Sequence, residues 1–334
     1  MAARMWWFAA VVVLLIAGVG YGALHYMTGV PGKSHAGALP PLTDEEAALA
    51  AALNGHIEAI AGREHNVVHY AELEEAARYI EMTLAGFGYQ VSRQEFQVDG
   101  KAVRNIDATI EPAAQHPDPD VVVVGAHYDS VYGSPGANDN GSGVAAVIEL
   151  ARLLRDLNGV SAKRIRLVLF VNEEPPYFHT EAMGSLRYAR ALAQRKERVV
   201  AMFSLETIGY YTSAPNSQHY PAPFGLIFPD RGDFVAFVGL LNARPLLQKT
   251  MRSFRSHTAF PSIGGVAPGF IPGIAWSDHW SFAQHGFQAL MVTDTAPYRY
   301  PHYHLASDTP DKVNTESLAR VTKGMERVIR DLVR

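Results

Sequence analysis

Among its 334 residues the chain has no cysteine, which rules out a disulfide framework, a cysteine nucleophile and a thiolate metal site. Any metal must therefore sit on His, Asp and Glu. Positive charge is not in excess: 29 Lys and Arg against 33 Asp and Glu give a formal net charge of -4. A pI near 6.4 leaves no basic footprint of the kind that binds a nucleic-acid backbone, so nucleic acid is not an expected partner. Charge is missing altogether from one stretch, "MAARMWWFAAVVVLLIAGVGYGALHYM", which carries one Arg and then an uncharged run from Met5 to about Tyr26. At 1.5 Å per residue that run is about long enough to cross a ~30 Å hydrocarbon core. It exceeds a usual signal h-region and no clean A-x-A site follows it. Residues 1–27 are therefore read as a signal anchor, with Arg4 inside and the bulk of the chain exported to the periplasmic or extracytoplasmic side. The alternative is a cleaved signal and a secreted chain. Residues 28–41, "TGVPGKSHAGALPP", are rich in Gly and Pro without hydrophobic period and read as a flexible linker. With 48% hydrophobic and 19% charged residues overall, residues 42–334 can bury a large core as one domain.

Within that domain, "TDEEAALAAALNGHIEAIAG" opens on a Thr43 cap with acids in its first turn and predicts a helix, as does "AELEEAARYIEMTLAGFG". "YQVSRQEFQV" and "NIDATI" alternate like strands. Then strands and helices take turns: "VVVVGA" (121–126), β-branched throughout, "GVAAVIELARLLRDL", "RIRLVLFVN", "AMGSLRYARALAQRK" and "RVVAMFSLE". That rhythm predicts an α/β fold of three layers, a mostly parallel mixed sheet with helices on both faces. Residues 207–232, dense in Tyr, Pro and Phe, read as an elaborated loop whose Tyr210, Tyr211, Tyr220 and Phe224 line a substrate wall or cover the sheet edge. A helix from about Asp233, a short one in "SDHWSFAQHG", a strand "QALMVTD" and a helix from Thr315 are expected to complete the chain.

In open parallel sheets, sites form beyond the carboxyl ends of the strands, and the most polar residues fall there. "VVVVGA" runs into His127 and Asp129, "RIRLVLFVN" into Glu173 and Glu174, "RVVAMFSLE" ends on Glu206, and "QALMVTD" leads through Asp294 toward His302 and His304. Asp139 sits in the glycine-rich loop "GANDNGSG". Taken singly, each acid reads as a solvated turn or strand-end residue. Together they crowd carboxylates into one pocket, which is costly unless a cation offsets the repulsion. A nitrogen and oxygen donor set without sulfur suits zinc, with manganese or cobalt as weaker candidates. Five ligands suit two ions sharing one carboxylate and clamping a water-derived nucleophile. One glutamate of the Glu173 and Glu174 pair then binds metal while the other takes a proton. In "AHYDS", Asp129 is expected to accept the free ring N–H of His127.

"GAHYDSVYGSPGANDNGSGVAAVIELARLL", "LFVNEEPPYFHTEAMGSLRYA", "SLETIGYY", "SDHWSFAQHGFQALMVTDTA" and "YHLASDTPDKVN" follow one another in the order of the signatures of the co-catalytic zinc aminopeptidases. The chain resembles that family, which includes aminopeptidase Y and has glutamate carboxypeptidase II and the glutaminyl cyclases as relatives, over about residues 45–334. The resemblance implies two Zn2+, the first on His127 and Glu206, the second on Glu174 and His304, with Asp139 bridging. It implies Glu173 as general base and acid, and Tyr303 as the tyrosine that polarises the scissile carbonyl in some members. Asp278 and His279 match the family's "SDH" near the site. Where many members carry Asp, this chain has Glu206, a longer arm. The implied activity is that of a metallopeptidase releasing residues from peptides with a free amino terminus. The competing readings are a glutaminyl-peptide cyclotransferase, which shares these motifs, and a catalytically silent, receptor-like binding module.

Overall fold

The computed structural model describes residues 2–115 and 118–334. After a long apolar helix, α1 (Ala2–Thr28), comes α2 (Asp44–Ile60). It starts where the sequence expects: the Thr43 hydroxyl accepts the Glu46 N–H at 3.2 Å and the Glu46 carboxylate accepts the Thr43 N–H at 2.8 Å, a reciprocal cap. Helix α3 (Tyr70–Gly86) leads to the antiparallel pair β1 (Val91–Val98) and β2 (Lys101–Ile110). The alternating part follows as β3 (Val121–His127), α4 (Gly143–Leu154), β4 (Arg164–Phe170), α5 (Gly184–Gln194) and β5 (Val199–Glu206).

Beyond the loop at 207–232 the structure departs from expectation. Where the sequence suggested a helix from Asp233, Val235–Leu240 form a strand, β6, and the helix α6 begins at Arg244 and ends at His257. A further strand, β7 (Ser262–Ala267), was not anticipated. Then come α7 (His279–Ala283), β8 (Ala289–Thr293) and α8 (Thr315–Val333). "VAFVGL" is a continuous apolar run, which periodicity alone cannot assign to strand or helix. The two glycines of "SIGGVA" hide β7 behind a loop-like composition.

The strands form one sheet in the order β1-β2-β4-β3-β5-β8-β6-β7. Its centre, β4-β3-β5-β8, is parallel, and β2 and β6 join it antiparallel on either side. Every residue of β3 is buried, and its side chains alternate between two cores. Val122 and Val124 share a core with residues of α2, α4 and α8 on one face, and Val121 and Val123 share another with Tyr188 of α5 and Phe282 of α7. This is the three-layer α/β domain the rhythm of the sequence predicts.

The segment after α1 is without helix or strand but is not a free tether. It lies along the outer edge of β7. Gln248 Nε2 donates to Gly29 O at 2.6 Å, Arg255 Nη1 to Pro31 O at 3.0 Å and to Gly32 O at 2.8 Å, and the Ser262 N–H to Ser34 Oγ at 2.8 Å. An edge strand with unpaired backbone groups is a template for aggregation, and this strap covers it.

Candidate metal centre

Three adjacent central strands end together. His127 is the last residue of β3 and Glu206 the last of β5, while Glu173 and Glu174 leave the end of β4. Asp139 enters from the loop before α4, and His304 from the turns after β8. The structure thus gathers the sequence-expected metal ligands and Glu173 at one point. From His127 Nε2 it is 3.4 Å to Asp139 Oδ1, 3.5 Å to Glu206 Oε2 and 3.9 Å to Glu173 Oε2. From His304 Nε2 it is 3.1 Å to Asp139 Oδ2 and 3.4 Å to Glu174 Oε2.

Those separations are informative. Donors at about 2.0–2.1 Å from a tetrahedral zinc stand about 3.3 Å from one another. Among the described residues three sets have donor atoms within 4.8 Å of one another: His127 with Asp139 and Glu206, Asp139 with Glu174 and His304, and His127 with Glu173 and Glu174. In the first two the histidine stands 3.1 to 3.5 Å from its carboxylates, whereas His127 to Glu173 is 3.9 Å. Each oxygen of Asp139 faces a different histidine. Among the described residues, His127 Nε2 and Glu174 Oε1 are buried without any hydrogen-bond partner, a cost that a bound cation removes. The residues present therefore fit a divalent cation held by nitrogen and oxygen.

The electrostatics agree. Burial raises the carboxyl pKa values of Glu173 and Glu174, and the neighbouring acids raise them further. Glu206 is also raised by burial, against the pull of His127. Burial works against a charged His127, yet Glu206, Asp129, Asp139 and Glu173 outweigh it and hold the imidazole well above its ordinary 6.5. Burial would likewise raise Asp139, but the two histidines that face it overcome that and hold it below the carboxylate range. The site attracts positive charge.

The residues around the donors differ in part from expectation. The His127 Nδ1–H donates to the backbone carbonyl of Asp129 at 3.0 Å, and the Asp129 carboxylate stands off at 3.7 Å. That carboxylate instead accepts the backbone N–H of Glu173 at 3.1 Å and of Glu174 at 3.3 Å. Two buried turn amides need an acceptor more than a ring that already has one. Either way Nε2 of His127 presents its lone pair to the site. Asp278 and His279 are buried beneath the cluster. Burial pushes the Asp278 carboxyl up to about 7 and His279 down to about 4. Neither touches a candidate ligand; the neighbouring Ser277 does, its hydroxyl donating to Glu206 Oε2 at 2.8 Å. The Tyr303 ring stacks on His304 with centroids 3.8 Å apart, and burial, then Asp139 and Glu174, keep its phenol protonated.

Three residues that sequence reasoning passed over hold the Asp139 loop. Asp308 accepts the backbone N–H of Asn138 at 2.8 Å and of Asp139 at 3.1 Å. Asn138 Nδ2 donates to Asp294 at 2.9 Å. Asn140 bridges to the end of β5, donating to Leu205 O at 2.8 Å and accepting the Thr207 N–H at 3.1 Å. The "SDT" of "YHLASDT" was the available signal for Asp308.

A cavity of about 470 Å³ opens from Asp139, Glu173, Glu174 and Glu206 and runs over Ala236, Val238 and Gly265 of β6 and β7. The aromatic loop divides its roles. Tyr220 and Phe224 wall this cavity, whereas Tyr210 packs on Tyr300 and Tyr211 on Phe260.

Donors spaced for a divalent cation stand beside a buried carboxyl of raised pKa, as a metal-dependent catalytic centre requires. The chain belongs to Peptidase family M28, whose model matches residues 105–329, and so to the metal-dependent exopeptidases. It is 40% identical over 262 residues to the uncharacterized protein YfbL of Escherichia coli (strain K12), covering 76% of this chain and 78% of that one. In fold it is similar to a zinc aminopeptidase from Bacillus subtilis, with TM-score 0.67 and 17% identity over 85% of this chain and 95% of the other. It is also similar to Fimbriiglobus ruber glutaminyl cyclase, with TM-score 0.62 and 20% identity over 90% and 98%.

Proposed function

We propose that the chain is an aminopeptidase with two zinc ions per chain, hydrolysing the amino-terminal bond of peptides. The observation that carries this reading is Asp139, whose two carboxylate oxygens face His127 at 3.4 Å and His304 at 3.1 Å and so belong to both donor sets. His127, Asp139 and Glu206 would hold one ion; Asp139, Glu174 and His304 the other. Bound there, zinc supplies Lewis-acid polarisation of a carbonyl and makes water acidic near neutral pH.

The chain's own groups do the rest. Glu173, buried and of raised pKa, takes a proton from the attacking water and delivers it to the departing amine, so that one water is consumed and an amine and a carboxylate result. The protonated Tyr303 phenol, on the cavity wall, donates to the carbonyl oxygen as negative charge develops.

The test is turnover of amino-acyl anilides and of amino-blocked peptides with zinc counted per chain. Glu173→Gln is expected to lose about 10²–10⁴ in rate with both ions retained, and blocked peptides are expected to be inert. One zinc per chain with pyroglutamate as the only product from Gln-headed peptides would instead make this a cyclotransferase. A metal-loaded chain silent on every peptide would be a binding module.

The reading includes a place in the cell. Met5–Thr28 of α1 is apolar and long enough to cross a membrane, its most apolar 18 residues having mean hydropathy 2.2 and no burial in the protein, a test that a signal sequence also passes. We propose that it stays as an anchor with the catalytic domain on the exported side, supported by Arg4 at its inner end. The intact amino terminus in the mass of the purified chain is the check.

A further inference from the structure

The anchor reading fixes a level on the domain. From Trp7 to Tyr26, α1 rises about 29 Å at 1.5 Å per residue, the thickness of a hydrocarbon core, with aromatic residues at both ends where they favour the interface. The Arg244 guanidinium lies 4.4 Å over the Tyr26 ring, a cation at headgroup height. One residue on, the Met27 carbonyl oxygen is 3.5 Å from where a Cβ on Gly265 would stand, and the Phe228 ring 3.9 Å from the same point. The end of the span, the edge strand β7 and the aromatic loop therefore meet.

The side chains that leave this meeting point are apolar and bare. Leu226 is 89% exposed and Ile227 42%, within about 8 Å of Phe228 along the chain, comparable with the ~5–7 Å depth of the interfacial zone on each side of a bilayer. Ser34 bonds at Ser262 and Met27 lies at Gly265, so the strap runs antiparallel to β7 and α1 joins it toward the carboxyl end of that strand. Three residues past that end stands Phe270, 86% exposed. Scattered apolar residues on a surface are ordinary, but apolar tips on two loops beside one membrane helix are not.

We propose that Leu226, Ile227 and Phe270 form a second membrane contact that inserts into the headgroup region of the bilayer entered by α1, so that the active-site cavity, walled by the same two loops at Phe224, Phe228 and Pro272, is held at the lipid surface. This rests on the anchor reading above and is independent of which reaction the site performs. The partner is a phospholipid surface.

The absence of cysteine makes the test clean, because one introduced cysteine takes a nitroxide label alone. The full chain is reconstituted in vesicles of phosphatidylcholine and phosphatidylglycerol, with Leu226→Cys or Phe270→Cys. Ile16→Cys serves as the mid-span reference and Met82→Cys, 74% exposed on α3, as the aqueous one. Collision with oxygen relative to a water-soluble nickel chelate is read at each label. The ratio at 226 and 270 is expected to be severalfold above that at 82 and below that at 16. Values equal to that at 82, with 16 lipid-exposed, overturn the proposal and leave the anchor standing. Dipolar broadening between copies would assign the rim to a second chain and also overturn it. A water-exposed label at 16 removes the anchor and the proposal together. Peptide turnover in the same vesicles is scored separately and bears only on the reaction.

Discussion

Asp139 is held by its backbone, leaving its carboxylate free for metal. Asp308 takes the N–H groups of Asn138 and Asp139, and the Tyr300 hydroxyl braces it at 2.7 Å. Replacing it by Asn puts an amide donor against one of those N–H donors and lets Asp139 drift. Asp308→Asn is expected to weaken zinc binding by about 10–100-fold, read by titration against a chelator, with the unfolding midpoint of the metal-free chain moving little. Elsewhere the same kind of pairing is structural. Glu149, on α4, is buried, which would raise its pKa, but His56 at 3.1 Å and Arg152 at 2.8 Å outweigh that and lower it below 4.5. A carboxyl with a depressed folded pKa contributes stability above its unfolded value and loses it as pH falls through the folded one. Glu149→Gln is therefore expected to cost about 1–3 kcal/mol at pH 7 and progressively less below about pH 4, a convergence that urea unfolding at several pH values would show or refute. Of these roles the donors were legible, because histidine and acid at strand ends advertise themselves. The backbone clamps were not: an acceptor for an amide has no residue signature, which is why Asp129 was expected on the His127 ring and stands on the Glu173 and Glu174 amides.

At the level of elements, the join between α4 and β5 carries the geometry of the first donor set. Gly143 opens α4 where a Cβ would lie 2.3 Å from Leu205 O and 2.3 Å from Asn140 Oδ1. The same Asn140 oxygen accepts the Gly143 N–H at 3.1 Å. Helix start, loop and strand end are thus packed with no room for a methyl. Gly143→Ala is expected to force α4 away from the end of β5, costing about 1–3 kcal/mol and displacing Glu206, so stability and metal occupancy fall together. Gly55→Ala, at an exposed position inside α2 with open space around it, should leave metal occupancy unchanged and raise stability by about 0.5–1 kcal/mol. The glycine-rich loop was legible as a device for close approach; what it approaches was not. Sequence pattern served best where periodicity was long, as in α2, α4 and α8, and where β-branched runs were buried on both faces, as in β3. It failed at β6 and β7, where one strand is uniformly apolar and the other carries two glycines in six residues. In β7 the glycines answer to neighbours the sequence cannot name: a Cβ on Gly264 would stand 3.0 Å from Met251 Sδ, and one on Gly265 would meet Met27 and Phe228.

For the whole molecule, the question is whether the apolar helix and the catalytic domain move as one. Composition argued for a loose tether at 28–41, whereas the hydrogen bonds describe a strap laid on the edge of β7. Arg255 is its centre. Besides Pro31 O and Gly32 O it grips Ser262 at both Oγ, 3.2 Å, and O, 2.8 Å, so strap and edge strand share one guanidinium. Lys33 lies exposed in the strap and is the sole Lys or Arg between Arg4 and Arg63, so trypsin acting on the strap cuts at one place and releases the apolar helix. A protease needs several residues of extended, detached chain, and cleavage follows the population in which the strap has lifted. Removing two strap bonds of about 1 kcal/mol each raises that population about 10–100-fold. Arg255→Ala is thus expected to speed cleavage after Lys33 by that factor, seen as loss of residues 1–33 by mass, while Arg252→Ala, on the exposed side of the same helix, leaves the rate alone. Equal rates in the three proteins would mean that the strap is already detached in solution, and the coupling of α1 to the domain would fall with it.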